Sequence, residues 1–378
     1  MRPAGAWLLL AAATVATWFA LTGAWPGVLG LAFVCTMAVR RGRLGLMVFA
    51  AATLLVNTLL LAWLSPGAET VAVGPLQLGT AGAMLGAVGA LRVIAIVALN
   101  QAILTHLPLP VWLDGLRLPV RATAFLAAVL LASRDVGRDF GRLRDARRLD
   151  GAWPHSRLAR ARAAAALLAP LLVASWRRAE TRREALRLAG IAVGRRFAPI
   201  VAVTALAVAG RLAFIAIPNV ALTYVVVFAG GLAFGAVVGF WSGFWAMALT
   251  DLLLSGLAPG PYVNAPAMGL LGALGGALQP RQASADVATL GMLAATAGVV
   301  GTLWFSIVTD VATWALVPEF RTSWTLLRLR VLAGLVFNAV PAITNGVLFA
   351  LAAAPVSRAF AALHGHHGQH SQHPERGP

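Results

Sequence analysis

The chain has 378 residues, of which 60% are hydrophobic and 11% charged, and its formal net charge is +17. Soluble domains contain about 45–50% apolar and about 25% charged residues, so this composition excludes an ordinary soluble domain and indicates a polytopic helical membrane protein. The arginines fall mostly between apolar runs, as in cytoplasmic loops, which argues against nucleic acid as a partner. The chain contains no lysine, which excludes a P-loop and a Schiff-base site.

The N-terminal part alternates apolar runs with short polar breaks. Two short spans are predicted before a basic loop at Arg40, and further spans over residues 44–64 and 78–105. The segment Ser65–Thr70 between the last two carries an acidic residue and is predicted to be an external turn. Arg92 lies within an apolar span, where an arginine is by default buried between helices or functional.

The arginine-rich stretch from Ser133 to Arg196 is too charged to cross a membrane, and it contains two helical patterns. Gly151 and Gly190 end these patterns. The apolar stripes are Val136, Phe140, Leu143 and Leu149 in the first helix, and Leu172, Trp176, Ala179 and Leu186 in the second. The apolar runs 120–132 and 163–174 are too short to cross, so we interpret them as interfacial or partly embedded bases of these two helices.

After Arg196 the sequence becomes apolar and rich in glycine, which predicts a bundle of six spans. Their approximate ranges are 197–217, 221–233, 235–256, 266–279, 287–308 and 329–353. The turns Pro218-Asn219 and Pro259-Gly260-Pro261 are predicted to be external, and the C-terminus cytosolic. The tail from residue 361 is predicted to be disordered, and His364, His366 and His367 within it are a weak candidate for metal binding.

The first half contains several short segments typical of one family of membrane proteins. They are Leu54-Leu55-Val56-Asn57, Ser65-Pro66-Gly67, Gly74-Pro75-Leu76, Leu91-Arg92 and Ala169-Pro170-Leu171-Leu172-Val173 with the following Arg177-Arg178-Ala179-Glu180. Through these segments the first half resembles the transmembrane scaffold, or T component, of energy-coupling factor transporters. In that family two cytosolic coupling helices each end in Ala-Arg-Gly and dock on paired ATPase subunits. Here the ends read Leu149-Asp150-Gly151 and Leu188-Ala189-Gly190, so the glycines match and the motif arginines are replaced.

The second half resembles a substrate-binding S component of the same transporters. Its matching segments are Gly210-Arg211-Leu212-Ala213-Phe214, Ile217-Pro218-Asn219-Val220, Thr250-Asp251, Pro261-Tyr262, Phe337-Asn338 and Asn345. This pattern resembles the S components assigned to cobalamin or a related compound. The resemblance implies a scaffold over residues 1–195, a substrate-binding module over 196–360 and a tail over 361–378.

The resemblance also implies roles for individual residues. The residues expected to couple to the ATPases are Arg147, Arg148, Asp150, Gly151, Arg187, Ala189 and Gly190. Those expected to bind substrate are Arg211, Asn219, Asp251, Tyr262 and Asn264. The chain itself is expected to be neither an enzyme nor a cofactor carrier, with ATP and magnesium bound by partner ATPase subunits. The other partners are a small micronutrient and the lipid bilayer of a bacterial cytoplasmic membrane.

Three alternatives stay open from the sequence. A cobalt or nickel importer of the same class would share the first half, although Arg2 follows Met1 where that family has a Met-His start. A non-transporting membrane sensor or scaffold is favoured if Asp150 and Ala189 abolish ATPase docking. A membrane-embedded enzyme would need converging His, Asp, Glu or Cys residues within the bilayer, and only Asp251 and Asp310 lie near span ends.

Overall fold

The computed structural model describes only part of the chain. Its longer described segments are residues 118–151, 156–214, 222–255, 260–279, 286–316 and 338–352, with shorter pieces between 54 and 87 and between 324 and 335. The predicted spans before residue 54, the segment around Arg92, Pro218-Asn219 and the histidine tail lie outside the described residues.

Helices dominate the described segments, as the composition predicts. Their bounds are α1 Val120–Leu149, α2 Arg157–Leu188, α3 Phe197–Phe214, α4 Leu222–Phe234, α5 Ala236–Ser255, α6 Gly260–Ala277, α7 Val287–Leu316 and α8 Asn338–Ala352. One compact unit of the chain contains all of these helices except the end of α5 from Asp251 onward. The division at residues 195 and 196 into a scaffold and a substrate module stays a prediction.

A small antiparallel hairpin lies among the described residues before α1, where the sequence did not predict a strand. Strand β1 (Thr70–Val73) pairs with β2 (Leu76–Gly79), with Thr70 opposite Gly79 and Val73 opposite Leu76. The prediction of a span beginning at Leu78 was therefore wrong at its start, because residues 78 and 79 are paired in a strand. The apolar stretch after the hairpin is typical of a membrane span, whereas the β-branched residues of β1 favour a strand. The hairpin belongs to the other compact unit.

Each of the six spans predicted after Arg196 corresponds to a helix. The prediction of a turn at Pro259-Gly260-Pro261 was wrong at Gly260 and Pro261, because α6 begins at Gly260 and continues through Tyr262 and Asn264. Proline is tolerated in the first turn of a helix, because the N–H groups of that turn have no partner within the helix. Gly260-Pro261 therefore forms the start of α6 and does not precede it. Among the described helices, one contains a segment long and apolar enough to cross a membrane, Ala288–Ala312 in α7.

The core of the helical unit is built around α3, which packs against α1, α2 and α4. Small and branched side chains of α3 from Ala198 to Val208 are almost completely buried. Further along the chain, α6 packs against both α4 and α7. Asn338 and Asn345 on α8 donate hydrogen bonds to the hydroxyls of Ser306 (2.8 Å) and Thr302 (2.9 Å) on α7. These contacts are interhelical hydrogen bonds, which join apolar helices through their few polar side chains.

Glycines allow α4, α5 and α6 to approach until their backbones touch. A Cβ atom added to Gly231 or Gly239 would overlap the carbonyl oxygen of Gly272, and one added to Gly243 would overlap the carbonyl oxygen of Met268. These glycines therefore serve close helix packing. Gly235 has a different role: its φ of 91° lies in a region that only glycine adopts easily, and it joins α4 directly to α5.

Asp286 caps the first turn of α7. Its carboxylate accepts a hydrogen bond from the backbone N–H of Thr289 (2.7 Å). A hydrogen bond from the Thr289 side chain, followed by this backbone bond, lowers the pKa of Asp286 below its usual value. A lowered folded-state pKa means that the cap stabilises the helix above the unfolded-state pKa and that this stabilisation is lost as the pH falls through the folded-state value.

We therefore expect Asp286→Ala to lower the unfolding temperature of the detergent-solubilised chain at neutral pH. The difference from the wild type should shrink as the pH is lowered below about 4, because the wild-type carboxylate becomes protonated. Asp286→Asn is the control, because asparagine caps helices well without a titrating group. Equal unfolding temperatures of Asp286→Ala and wild type at neutral pH would contradict this role.

Candidate functional site: the ends of two crossed helices

The two arginine-rich helices end in the same local geometry. Gly151 follows α1 with a φ of 68°, and Gly190 follows α2 with a φ of 75°. At the end of α2 the N–H of Gly190 bonds to the carbonyl of Arg187 (2.9 Å), and the N–H of Ile191 bonds to that of Leu186 (2.8 Å). This pair of bonds is a Schellman motif, which requires a left-handed residue at the glycine position. Both predicted helix ends are confirmed.

The same four-residue pattern, Arg-Leu-x-Gly, occupies both ends. It reads Arg148-Leu149-Asp150-Gly151 after α1 and Arg187-Leu188-Ala189-Gly190 after α2. Leu149 is 89% exposed and Leu188 is 83% exposed. Asp150 and Ala189, where the resembling family has arginine, are exposed C-cap residues with φ values of −74° and −78°. Arg147, Arg148 and Arg187 supply the positive charge in the last turns.

Ion pairs hold α1 and α2 together where they cross. Asp135 of α1 pairs with Arg182 of α2 (2.8 Å), and Asp139 pairs with Arg178 (2.6 Å). The second guanidinium nitrogen of Arg182 also donates to the carbonyl oxygen of Ala128 (3.2 Å). The carboxylates and Arg182 are partly buried, which strengthens these pairs relative to surface ones.

The order of these pairs shows that the two helices run antiparallel at the crossing, because a higher residue number in α1 faces a lower one in α2. Gly151 and Gly190 therefore lie on opposite sides of the crossing point. At about 1.5 Å per residue, the two ends can be up to roughly 36 Å apart. The two exposed ends can thus contact two separate pockets.

The stripes predicted for these helices are buried at the crossing and less buried toward the helix ends, where Leu149 is exposed and Leu186 is partly buried. Val136, Leu172 and Ala179 are buried, and Trp176 is buried with its ring stacked on Phe234 (5.1 Å between centroids). Two i, i+3 ion pairs also lie on α2, between Glu180 and Arg183 (3.0 Å) and between Glu184 and Arg187 (3.5 Å). The short apolar runs 120–132 and 163–174 are continuous with the arginine-rich parts of α1 and α2.

Four of the predicted substrate residues, Arg211, Asp251, Tyr262 and Asn264, lie on described helices. Arg211, near the end of α3, donates to the Thr250 hydroxyl and to the Met247 sulfur on α5, both at 2.6 Å. Met247 was not predicted from the sequence as a neighbour of Arg211. Its position one helical turn before Thr250 could have indicated it. Asp251 is buried, with 4% of its surface exposed.

Tyr262 and Asn264 lie in the first turns of α6, where Tyr262 is exposed and Asn264 is partly buried. Asn219, His364, His366 and His367 lie outside the described residues. Within the described part of the chain, no three His, Cys, Asp or Glu side chains are grouped so that they could hold a metal ion.

Comparison of the chain with known protein families, curated proteins and solved structures gives no match.

Proposed function

We propose that the chain is a membrane subunit of an energy-coupling factor importer, which captures a small micronutrient and couples to separate ATPase subunits. The observation that carries the proposal is the pair of crossed helices, α1 and α2, with matching exposed Arg-Leu-x-Gly ends. A helix pair that only filled a cytosolic loop would have no need for two equivalent, uncovered and rigidly capped ends. An ATPase pair offers two similar surfaces, one for each end.

We propose a multi-pass location in a bacterial cytoplasmic membrane. The support is apolar surface that no described residue covers. On α8, Val340, Ile343 and Val347 share one helical face and are exposed, and on α7 Met292 and Val300 are exposed. Water-soluble proteins rarely expose contiguous apolar surface of this kind, whereas lipid covers it without cost. The arginine-rich ends of α1 and α2 would then face the cytosol.

The second half is proposed to bind the substrate, with a cobalamin-like compound as the favoured class because of the sequence resemblance. Arg211 is suited to a substrate contact, because it is a charged residue on the otherwise apolar helix α3. Its guanidinium lies next to the Thr250 hydroxyl of α5. ATP and magnesium would be bound by the partner subunits, since a chain without lysine cannot form a P-loop.

The test is a triple charge reversal at the helix ends, Arg147→Glu, Arg148→Glu and Arg187→Glu, with cyanocobalamin as the first probe. We expect uptake into cells that express the chain with its ATPases to fall roughly 10- to 100-fold, because acidic ends reverse the charge complementarity of docking. Binding of the probe to the purified chain should be unchanged.

A matched triple variant, Arg134→Glu, Arg142→Glu and Arg177→Glu, reverses three exposed arginines away from the helix ends. Uptake by this control should stay close to that of the wild type. Normal uptake by the first variant would reject the helix ends as the docking contacts. Probe binding with no uptake in the wild type would favour the sensor or scaffold function instead.

A further inference from the structure

A continuous row of aromatic rings joins three helices of the described unit. Phe197, at the start of α3, packs against Phe125 of α1 (6.1 Å between centroids), and Phe125 packs against Trp245 of α5 (5.5 Å). Phe244 and Trp241 continue the row along α5, at 5.3 and 5.6 Å. The row runs from buried Phe197 to Trp241, which is 42% exposed. Tryptophans such as Trp241 and Trp245 are enriched at the depth where membrane proteins meet lipid headgroups.

Exposed arginines lie next to this row at two places, in the turn before α3 and in the first turn of α1. Arg195 and Arg196 directly precede Phe197, and Arg121 lies one helical turn before Phe125 on α1. None of these arginines forms a salt bridge with a carboxylate of the described residues. The sequence contains no acidic residue between Glu184 and Asp251, or between Asp114 and Asp135. The basic charge beside the aromatic row is therefore uncompensated locally, unlike that of Arg178 and Arg182 at the helix crossing.

We propose that Arg121, Arg195 and Arg196, together with the aromatic row, form a binding site for an anionic phospholipid. The guanidinium groups contact the phosphate, for which the planar fork of arginine is well matched, and the glycerol and upper acyl chains lie against the rings. Basic side chains next to membrane helices are a common site for anionic headgroups. The inference depends on the proposed membrane location and is independent of coupling to an ATPase.

The site can be tested by tryptophan fluorescence of the full chain in nanodiscs, using brominated lipid as the quencher. Brominated phosphatidylglycerol is compared with brominated phosphatidylcholine in otherwise identical discs. We expect the wild type to prefer phosphatidylglycerol by roughly 10- to 100-fold, since each arginine near the headgroups contributes about fivefold. Trp245→Phe should remove part of this quenching, because Trp245 lies in the row.

Arg195→Gln with Arg196→Gln should reduce the preference by about tenfold or more, and Arg121→Gln, in α1, by about fivefold. The control, Arg134→Gln with Arg142→Gln, removes the same charge away from the row and should leave the preference unchanged. Equal loss in the control would show a general charge effect and overturn the site, as would an unchanged preference in the first variant. Loss of the preference on adding inorganic phosphate would show that free phosphate, and not a lipid, is the ligand.

Discussion

Gly272→Ala is expected to prevent the correct packing of α4, α5 and α6. The added Cβ atom would overlap the carbonyl oxygen of Gly239 on α5 and lie 2.9 Å from a methyl group of Val227 on α4. Because the first obstacle is backbone, no change of side-chain rotamer relieves the overlap and a whole helix must shift. Overpacking of a core typically costs about 1–3 kcal/mol, and a backbone obstacle places this substitution at the upper end.

The measurement is the fraction of monodisperse chain after detergent extraction, together with its unfolding temperature. Gly141→Ala is the matched control, because a Cβ atom at this position of α1 meets nothing within 4 Å. That substitution should be neutral or should stabilise the chain by up to about 1 kcal/mol, since alanine favours helix more than glycine does. If Gly272→Ala were as monodisperse and as stable as the wild type, the close approach of α5 and α6 would be wrong.

Asp135→Arg is expected to separate the crossed helices α1 and α2. The new arginine would face Arg182 at the place where that side chain now holds a carboxylate at 2.8 Å. The cost of breaking a partly buried ion pair lies between the cost for an exposed pair and that for a fully buried one. We therefore expect the free energy of unfolding to fall by about 1–3 kcal/mol. Uptake should fall more than probe binding, because the crossing sets the directions of the two helix ends.

The exchanged variant, Asp135→Arg with Arg182→Asp, should recover part of the loss. Recovery should be incomplete because the bond from Arg182 to the carbonyl of Ala128 is not restored. A control exchange of Arg144 and Asp145, which pair on the exposed side of α1, should change the unfolding free energy by less than about 1 kcal/mol. A double-mutant cycle on Asp135 and Arg182 that gives no coupling energy would contradict the cross-helix role.

Helix ends could be predicted because their signals are local. Gly151 and Gly190 end α1 and α2 as expected, since a left-handed residue after the last turn has a steric cost that only glycine avoids. The i, i+3 pairs on α2 could be predicted for the same reason. The start of α6 was missed because Gly260-Pro261 is compatible both with a turn and with a helix N-terminus, and only packing of the following residues distinguishes the two.

By itself, the sequence determined the helical class, the six helices after Arg196 and the two capped helix ends, all of which follow from periodicity and composition over short windows. Only the tertiary structure decided which arginines form pairs between the two helices. Arg178 and Arg182 look like Arg147 and Arg187 in the sequence, yet the first two hold Asp139 and Asp135 across the crossing, while the others lie in the last turns beside the exposed leucines. The partners of such a pair are 39 to 47 residues apart in the chain, and a local pattern contains no information about contacts over that separation.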